Sequence, residues 1–188
     1  MKPILWLIFT LNLLMQSGNL NAQQNSVEDT HTKATLASEM AVIEAGNIFW
    51  LALHYEPREG WHTYWKNPGD SGMQTSFSWD LPEGFIPGEA HYPVPDALPV
   101  EPLTNYGYNG ASTLLIPVQA PKTINTQSIQ IKANIEWLIC EVECVPQYGE
   151  FSLELPVGKA QASPENAALF TEARQNMPEP AFWGGALE

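Results

Sequence analysis

Two cysteines, Cys140 and Cys144, are the residues of this chain whose type and spacing could do chemistry. The 188-residue sequence contains no other cysteine, so within the chain each sulfur can bond only to the other. Four residue steps along an extended strand separate two Cα atoms by about 13 Å, whereas a disulfide requires about 7 Å or less. An intramolecular disulfide therefore requires a sharp turn between the two cysteines.

Three kinds of site fit such a pair. Thiol–disulfide exchange is the first, and the second is a structural disulfide, which the chain-entropy model values at roughly 2 kcal/mol for so small a loop. The third is a soft-metal site for copper(I) or zinc. The additional ligands available for a metal are His54, His62, His91, Met40 and Met73. None of them lies at the usual ligand spacing from Cys140, so the pattern favours exchange, with no metal or organic cofactor expected.

The N-terminal residues predict export. Lys2 precedes a nearly unbroken apolar run over residues 4–15, and a short polar stretch then leads to Ala22. This is the pattern of a secretory signal peptide, residues 1–22, cleaved after Ala22. A retained membrane anchor is the alternative, but the run is shorter than the roughly 20 apolar residues that a membrane span needs. Exported proteins meet oxidising conditions in which disulfides persist.

Composition excludes several classes of function. The chain carries 21 acidic and 8 basic residues, a formal net charge of −13, which speaks against nucleic acid or anionic lipid as a partner. The sequence contains no Gly-x-Ser-x-Gly, no phosphate-binding glycine loop and no His-Glu-x-x-His. The usual signatures of hydrolases, nucleotide-binding enzymes and zinc proteases are therefore absent from the sequence.

Short apolar segments predict strands along most of the chain. The predicted strands cover residues 34–43, 48–55, 61–65, 75–79, 111–118, 129–137 and 151–155. The clearest is 129–137, because apolar and polar residues alternate there with the period of a half-buried strand. Prolines concentrated between residues 82 and 102 predict loops and edge strands in that region. The cysteine segment is thus expected to be a turn between two strands.

One helix is predicted near the C-terminal end. Ser163 is a suitable N-cap with Pro164 at the first helical position, and Phe170, Ala173 and Met177 recur on one face. Many short strands followed by one helix predict an all-β fold, an antiparallel β-sandwich with one short C-terminal helix. The expected organisation is a signal peptide (1–22), a flexible leader (23–33), the sandwich domain (34–158), and the helix with a tail (159–188).

Five motifs occur in a distinctive order. They are Gly-Trp-His-Thr-Tyr-Trp-Lys-Asn-Pro-Gly-Asp-Ser-Gly (60–72), Trp-Asp-Leu-Pro-Glu-Gly (79–84), Tyr-Pro-Val-Pro (92–95), Tyr-Gly-Tyr (106–108) and Trp-Leu-Ile-Cys-Glu-Val-Glu-Cys-Val-Pro (137–146). In this order the set resembles the N-terminal periplasmic domain of the thiol:disulfide interchange protein DsbD, and is most similar to the variant in ScsB-type proteins. The resemblance covers roughly residues 34–156.

The resemblance implies an immunoglobulin-like sandwich in the periplasm whose Cys140 and Cys144 form a redox-active disulfide, with Cys144 entering the mixed disulfide. It implies a component of a protein-disulfide reductase, associated with copper tolerance. Electrons would come from a membrane-embedded donor of the DsbD type and pass to periplasmic thioredoxin-like proteins. Family members usually continue into a membrane domain and a thioredoxin-like domain, so this chain is expected to be a separate subunit or part of a longer protein.

Acidic residues surround the pair in the sequence. Glu141 and Glu143 lie between the cysteines, and Glu136 precedes them closely. Negative charge disfavours thiolate, so we expect a raised pKa for the thiols and slow reaction with small oxidants. No helix N-terminus or neighbouring cation is evident that would oppose this effect.

Aromatic residues could cover the sulfurs or form a docking surface. The candidates for a cap or docking role are Trp61, Tyr64, Trp65, Tyr106 and Tyr108. The alternative is that they are core residues, since aromatics supply much of the burial in a small sandwich. His62 is interpreted as a structural histidine, and residues 67–72 as tight turns or, alternatively, a loop that shields the disulfide.

Overall fold

A computed structural model describes residues 24–100 and 102–179, so the predicted signal peptide and the end of the tail lie outside the described residues. The elements are β1 (Ser26–Glu28), β2 (Thr32–Ser38), β3 (Met40–Val42), β4 (Ile48–Pro57), β5 (His62–Gly69), β6 (Ser76–Asp80), β7 (Ile86–Pro87), β8 (Asp96–Val100), β9 (Leu103–Asn109), β10 (Ser112–Gln119), β11 (Ser128–Cys140), β12 (Cys144–Pro156), β13 (Gln161–Ala162) and α1 (Ala167–Gln175). Within these described residues, no helix is long and apolar enough to cross a bilayer.

The strands form two main antiparallel sheets. The first has the order β1-β2-β4-β10-β7, and the second has the order β12-β11-β5-β9-β8, with β6 also paired to β11. A small third sheet joins β13 to β3. The fold is an immunoglobulin-like antiparallel β-sandwich with one short C-terminal helix, which confirms the predicted fold class. The short strands β7 and β8 from the proline-rich region lie at sheet edges, as predicted.

The core lies between the two main sheets. Leu51, Leu53 and Tyr55 of β4 pack in the same apolar cluster as Ile135 and Trp137 of β11. The alternation predicted for residues 129–137 is correct, because the odd-numbered side chains are buried in this cluster. The even-numbered side chains of β11 therefore lie on the outer face of the second sheet. Cys140 is one of them.

Helix α1 covers the outer face of the first sheet. Phe170 and Ala173 are buried against Ala52 and Leu115, and Met177 packs beside them, as the predicted apolar face requires. The predicted helix start at Ser163 is wrong, because the N-cap is Asn166. The Asn166 amide donates to the Ser38 carbonyl oxygen at 2.8 Å, a tertiary contact that holds the preceding residues in a turn.

The segment predicted as a flexible leader, residues 23–33, contains ordered structure. Strand β1 pairs with β2 through Val27 opposite Ala34, and β2 itself begins at Thr32. This polar segment pairs because β2 would otherwise leave its backbone groups unpaired at an edge of the first sheet. Polar composition alone therefore gave the wrong prediction for residues 26–33.

Candidate functional site

The two cysteines close a long β-hairpin. Strands β11 and β12 pair continuously from Ser128 opposite Pro156 to Cys140 opposite Cys144, so only residues 141–143 form the turn. The two sulfurs are joined in a disulfide, with a Cα–Cα distance of 4.1 Å. The sharp turn that the spacing required is thus the end of the hairpin, where two directly opposed residues bring their sulfurs together.

The two sulfurs differ in their access to solvent. Cys140 is only 2% exposed, whereas Cys144 belongs to the exposed residues. Directly opposed residues share a face, so both lie on the outer face of the second sheet. An incoming thiol can therefore reach Cys144 much more easily than Cys140.

Strand β5 supplies the groups that bury Cys140. His62 lies directly opposite Cys140, and Tyr64, two residues further on, shares the same outer face. The Tyr64 hydroxyl donates a hydrogen bond to the Cys140 sulfur at 2.9 Å and lies 3.9 Å from the Cys144 sulfur. Of the five aromatic candidates, Tyr64 is thus the one whose hydrogen bonding reaches the sulfurs.

His62 is the second member of this polar group. Its Nε2 atom lies 3.2 Å from the Tyr64 hydroxyl oxygen. A tyrosine has one hydroxyl proton, so when Tyr64 donates it to sulfur, the oxygen can only accept from the Nε2–H of His62. Burial lowers the pKa of His62 and raises that of Tyr64, so both groups are held in their neutral forms. The result is a neutral chain of donors directed from His62 through Tyr64 to Cys140.

The loop after β5 packs on Tyr64 and not on the sulfurs themselves. A Cβ atom at Gly72 would clash with Cδ1 of the Tyr64 ring, so residue 72 must be glycine for the loop to approach the ring this closely. The tyrosine is 4% exposed as a result. The predicted strand end at Trp65 is too early, because β5 resumes pairing at Gly69, opposite Asn105, after an irregularity.

Strand β9 holds this loop in place. The Asp70 carboxylate accepts the Thr104 N–H at 2.9 Å, and Asn105 Oδ1 accepts the Ser71 N–H at 3.0 Å. Asn105 is buried and also donates to the Ser71 hydroxyl. The sequence prediction missed Asn105 and the polar role of His62, because these contacts join residues far apart in the chain.

The other aromatic candidates lie elsewhere. Trp61 stacks on His31 with ring centroids 4.0 Å apart, and Tyr108 is a core residue whose hydroxyl donates to the Pro93 carbonyl oxygen. Trp65 is half-buried and packs edge-on against the exposed Tyr106 at 6.4 Å. The core alternative therefore describes Tyr108, while a docking role for the exposed aromatic Tyr106 stays a prediction.

The residues considered as metal ligands are dispersed. His54 bonds to Thr113 at 2.8 Å and His91 packs against Trp50, both in the first sheet and its surroundings. Met40 packs against the core, and Met73 is exposed. Across residues 24–100 and 102–179, no three His, Cys, Asp or Glu side chains converge to hold a metal ion.

Stability should depend on the protonation of His62. Its pKa is lowered by burial in the folded protein, so the unfolded chain binds more protons below about pH 6.5. The free energy of unfolding should then fall as pH drops from about 6.5 through the lowered folded-state pKa. Above about pH 6.5 the contribution of the neutral His62 to stability should be fully retained. We expect His62→Gln, which keeps an N–H donor, to flatten this slope in denaturant titrations of the oxidised protein.

His54, whose pKa is also lowered by burial, should retain part of the slope in that variant. His91→Gln is the matched control, because it removes an exposed imidazole that lies against Trp50 and not beside the cysteines. An unaltered pH dependence in His62→Gln would contradict the buried neutral state of this imidazole.

Residues 30–156, more than half of the chain, match the family described as thiol:disulfide interchange protein DsbD, N-terminal. The chain belongs to the DsbD N-terminal family. The resemblance inferred from the five motifs is thereby confirmed. With its Cys140–Cys144 bridge, this member of the family is a thiol–disulfide exchange domain.

One solved structure supports the same fold. The N-terminal periplasmic domain of ScsB from Proteus mirabilis matches with a TM-score of 0.65 at 17% identity, over 86% of this chain and 61% of that one. The chain therefore spans about three fifths of the length of that structure. The Neisseria meningitidis DsbD n-terminal domain in the reduced form matches at 12% identity with a TM-score of 0.39, over 68% of this chain and 89% of that one. No similar sequence was found among curated proteins.

Proposed function

We propose that this DsbD N-terminal domain is an exported, periplasmic carrier of electrons through the Cys140–Cys144 pair. Its donor is a membrane-embedded reductase of the DsbD type, and its acceptors are periplasmic thioredoxin-like proteins. The observation that supports this most is the asymmetry of the bridge: an exposed Cys144 sulfur is bonded to a buried Cys140 sulfur that accepts a hydrogen bond. A purely structural bridge requires neither feature.

Reduction begins at the exposed sulfur. A thiolate of the donor attacks Cys144 Sγ in line with the disulfide, a new sulfur–sulfur bond forms to the donor, and the bond to Cys140 breaks. Cys140 leaves as a thiolate and takes up a proton. A second donor thiolate then attacks the donor's own sulfur in the mixed disulfide and releases Cys144. The domain has gained two electrons and two protons, and the donor is left with a disulfide.

Tyr64 assists the leaving group. Cys140 is buried, so a thiolate there is costly unless a hydrogen bond compensates for lost water. The Tyr64 hydroxyl already points to this sulfur, and the hydrogen bond strengthens as negative charge develops. His62 positions the hydroxyl through its Nε2–H. A partner thiolate is therefore expected to attack the Cys144 sulfur in preference to the Cys140 sulfur, because Tyr64 covers Cys140.

Delivery to an acceptor uses the same groups in reverse. The Cys144 thiolate attacks the acceptor disulfide and releases one acceptor thiolate. Cys140 then attacks Cys144 Sγ, the intramolecular bridge forms again, and the second acceptor thiolate leaves. Because Cys140 is held next to Cys144 by the hairpin, this resolving step is intramolecular and fast compared with attack by another protein.

Redox titration tests the proposed function. The protein is equilibrated in thiol–disulfide buffers of graded potential, and free thiols are alkylated and counted by mass spectrometry. We expect a midpoint more oxidising than about −300 mV, in the range of exchange proteins. A midpoint below that value would indicate a structural disulfide and would refute the carrier role.

A further inference from the structure

The hairpin end carries an apolar apex that the rest of the described chain leaves uncovered. Val142 is 94% exposed, the highest value among the large hydrophobic side chains of the described residues. It lies at the centre of a tight turn in which the Glu141 N–H donates to the Glu143 carbonyl oxygen at 3.1 Å. A valine held in this way at a projecting turn is available to a partner but contributes nothing to the core.

An exposed strip continues from this apex past the disulfide. On β12, Cys144, Pro146 and Tyr148 alternate with more buried residues, so these three side chains lie in a row on the outer face. Tyr148 is 67% exposed and lies opposite Glu136 on β11. A groove of about 520 Å³ begins beside Tyr148 and is bordered by β6. The strip formed by Val142, Cys144, Pro146 and Tyr148 thus places the reactive sulfur within an apolar contact area.

Negative charge surrounds this strip. Residues 133–158 contain no lysine or arginine. The carboxylates of the segment belong to Glu136, Glu141, Glu143, Glu150 and Glu154. The neighbouring turn, where Gly60 lies close to the Glu141 carboxylate, contains Arg58, but this guanidinium is bound to Glu28 at 2.7 Å. The carboxylates nearest the bridge, those of Glu136, Glu141 and Glu143, therefore frame the strip without a lysine or arginine among them. The one basic residue of the hairpin, Lys132, lies further along β11, opposite Ser152.

We propose that this strip is the docking surface for a redox partner whose exchanging cysteine lies in an apolar patch bordered by lysine or arginine. The proposal rests on the proposed function and specifies its partner class. Contact between Val142, Tyr148 and the apolar patch supplies buried area around the sulfurs, while the carboxylates attract the basic border. Complementary charge raises the encounter rate and disfavours acidic partners, which would place like charges together.

Three small disulfides separate charge recognition from exchange itself. The reduced protein is mixed with cystamine, which is cationic, with bis(2-hydroxyethyl) disulfide, which is neutral, or with dithiodipropionate, which is anionic. The rate for each probe is divided by the rate at which dithiothreitol reduces that same probe under the same conditions. This ratio removes the intrinsic reactivity of the probe. We expect the cationic probe to be favoured over the anionic one by about tenfold at low salt, with most of this preference lost near 0.5 M salt.

Variants that remove carboxylates test which residues cause the preference for the cationic probe. Glu141→Gln combined with Glu143→Gln should reduce the cystamine preference at least threefold. Glu165→Gln combined with Glu172→Gln is the matched control, because these two exposed carboxylates lie at α1 on the first sheet and should leave the preference unchanged. If the neutral probe produces no oxidised protein even after prolonged incubation, the proposed exchange function fails. If the neutral probe reacts but the charged probes show no salt-dependent preference, the docking proposal alone is overturned.

A peptide probe tests the apolar half of the surface. The probe is a disulfide-closed peptide with lysine and phenylalanine next to its cysteines, compared with the same peptide carrying glycine in place of phenylalanine. We expect Val142→Ser to slow exchange with the phenylalanine peptide about three- to tenfold and to leave the glycine peptide and the small probes unchanged. Equal rates for both peptides in the parent protein and in Val142→Ser would overturn the docking proposal.

Discussion

The Cys144→Ser protein is expected to lose thiol–disulfide exchange by about 10³-fold or more, because the accessible nucleophile is removed and Cys140 is buried. The Cys140→Ser protein should behave differently. It keeps the exposed Cys144 thiol, attacks a disulfide, and then stops at the mixed disulfide because no resolving thiol remains. The measurement is the formation of a covalent adduct with a disulfide peptide, followed by non-reducing electrophoresis and mass spectrometry.

The two variants control each other, because each removes one sulfur from the same hairpin end and both lose the disulfide. Their folding stabilities are compared by denaturant titration, because the serine is buried at position 140 and exposed at position 144, while their adduct yields should differ greatly. Equal adduct formation by both variants, or a higher yield with Cys140 as the remaining thiol, would contradict the assignment of Cys144 as the sulfur that exchanges with partners.

Tyr64→Phe is expected to slow reduction of the bridge by dithiothreitol about 10- to 100-fold. The hydrogen bond to a developing thiolate contributes roughly 1.5–3 kcal/mol, and phenylalanine removes the hydroxyl while keeping the ring that packs on Gly72. Tyr92→Phe is the matched control, since this buried tyrosine donates its hydroxyl to the Thr75 carbonyl oxygen and should leave the dithiothreitol rate unchanged. An unaltered rate in a folded Tyr64→Phe protein would exclude the hydroxyl from the reaction.

His62 should act through Tyr64 and not on the sulfur directly. His62→Ala removes the donor to the tyrosine oxygen and should slow the same reaction about two- to tenfold. His62→Gln offers an amide N–H in its place and should restore much of the rate, which a role in folding alone would not predict. Combining His62→Ala with Tyr64→Phe should give no more loss than Tyr64→Phe, because both changes interrupt one chain of hydrogen bonds.

Local sequence patterns predicted the elements that they control directly. The alternation over residues 129–137 identified β11 and its buried face, and the short spacing of the cysteines predicted a turn between strands. The family resemblance, which depended on ordered motifs, identified the sandwich, and it predicts the exchange role of Cys140 and Cys144. These features follow from neighbouring residues, whose side-chain periodicity reports the face that each will present.

Features created by distant contacts were not predicted. Tyr64 meets Cys140 only because β5 pairs beside β11, and no local pattern specifies that register. Strand β9 was not recognised, since Leu103–Asn109 contains glycine and asparagine and has little apolar alternation. The predicted start of α1 at Ser163 differs from the observed N-cap at Asn166 for a similar reason. The tertiary contact of Asn166 with Ser38 outweighs the capping preference of Ser163.

The position of the bridge at the end of a fully paired hairpin has a consequence for its redox cycle. Backbone pairing already holds Cys140 opposite Cys144, so the disulfide closes a loop of only five residues, 140–144. Breaking the bond frees no more of the chain than this loop. We therefore expect the reorganisation that accompanies electron transfer to be confined to the sulfurs and their immediate contacts, with the sandwich keeping one shape in both oxidation states. Partners would then meet nearly the same surface before and after transfer, and a change in affinity that drives their release would originate at the two sulfurs.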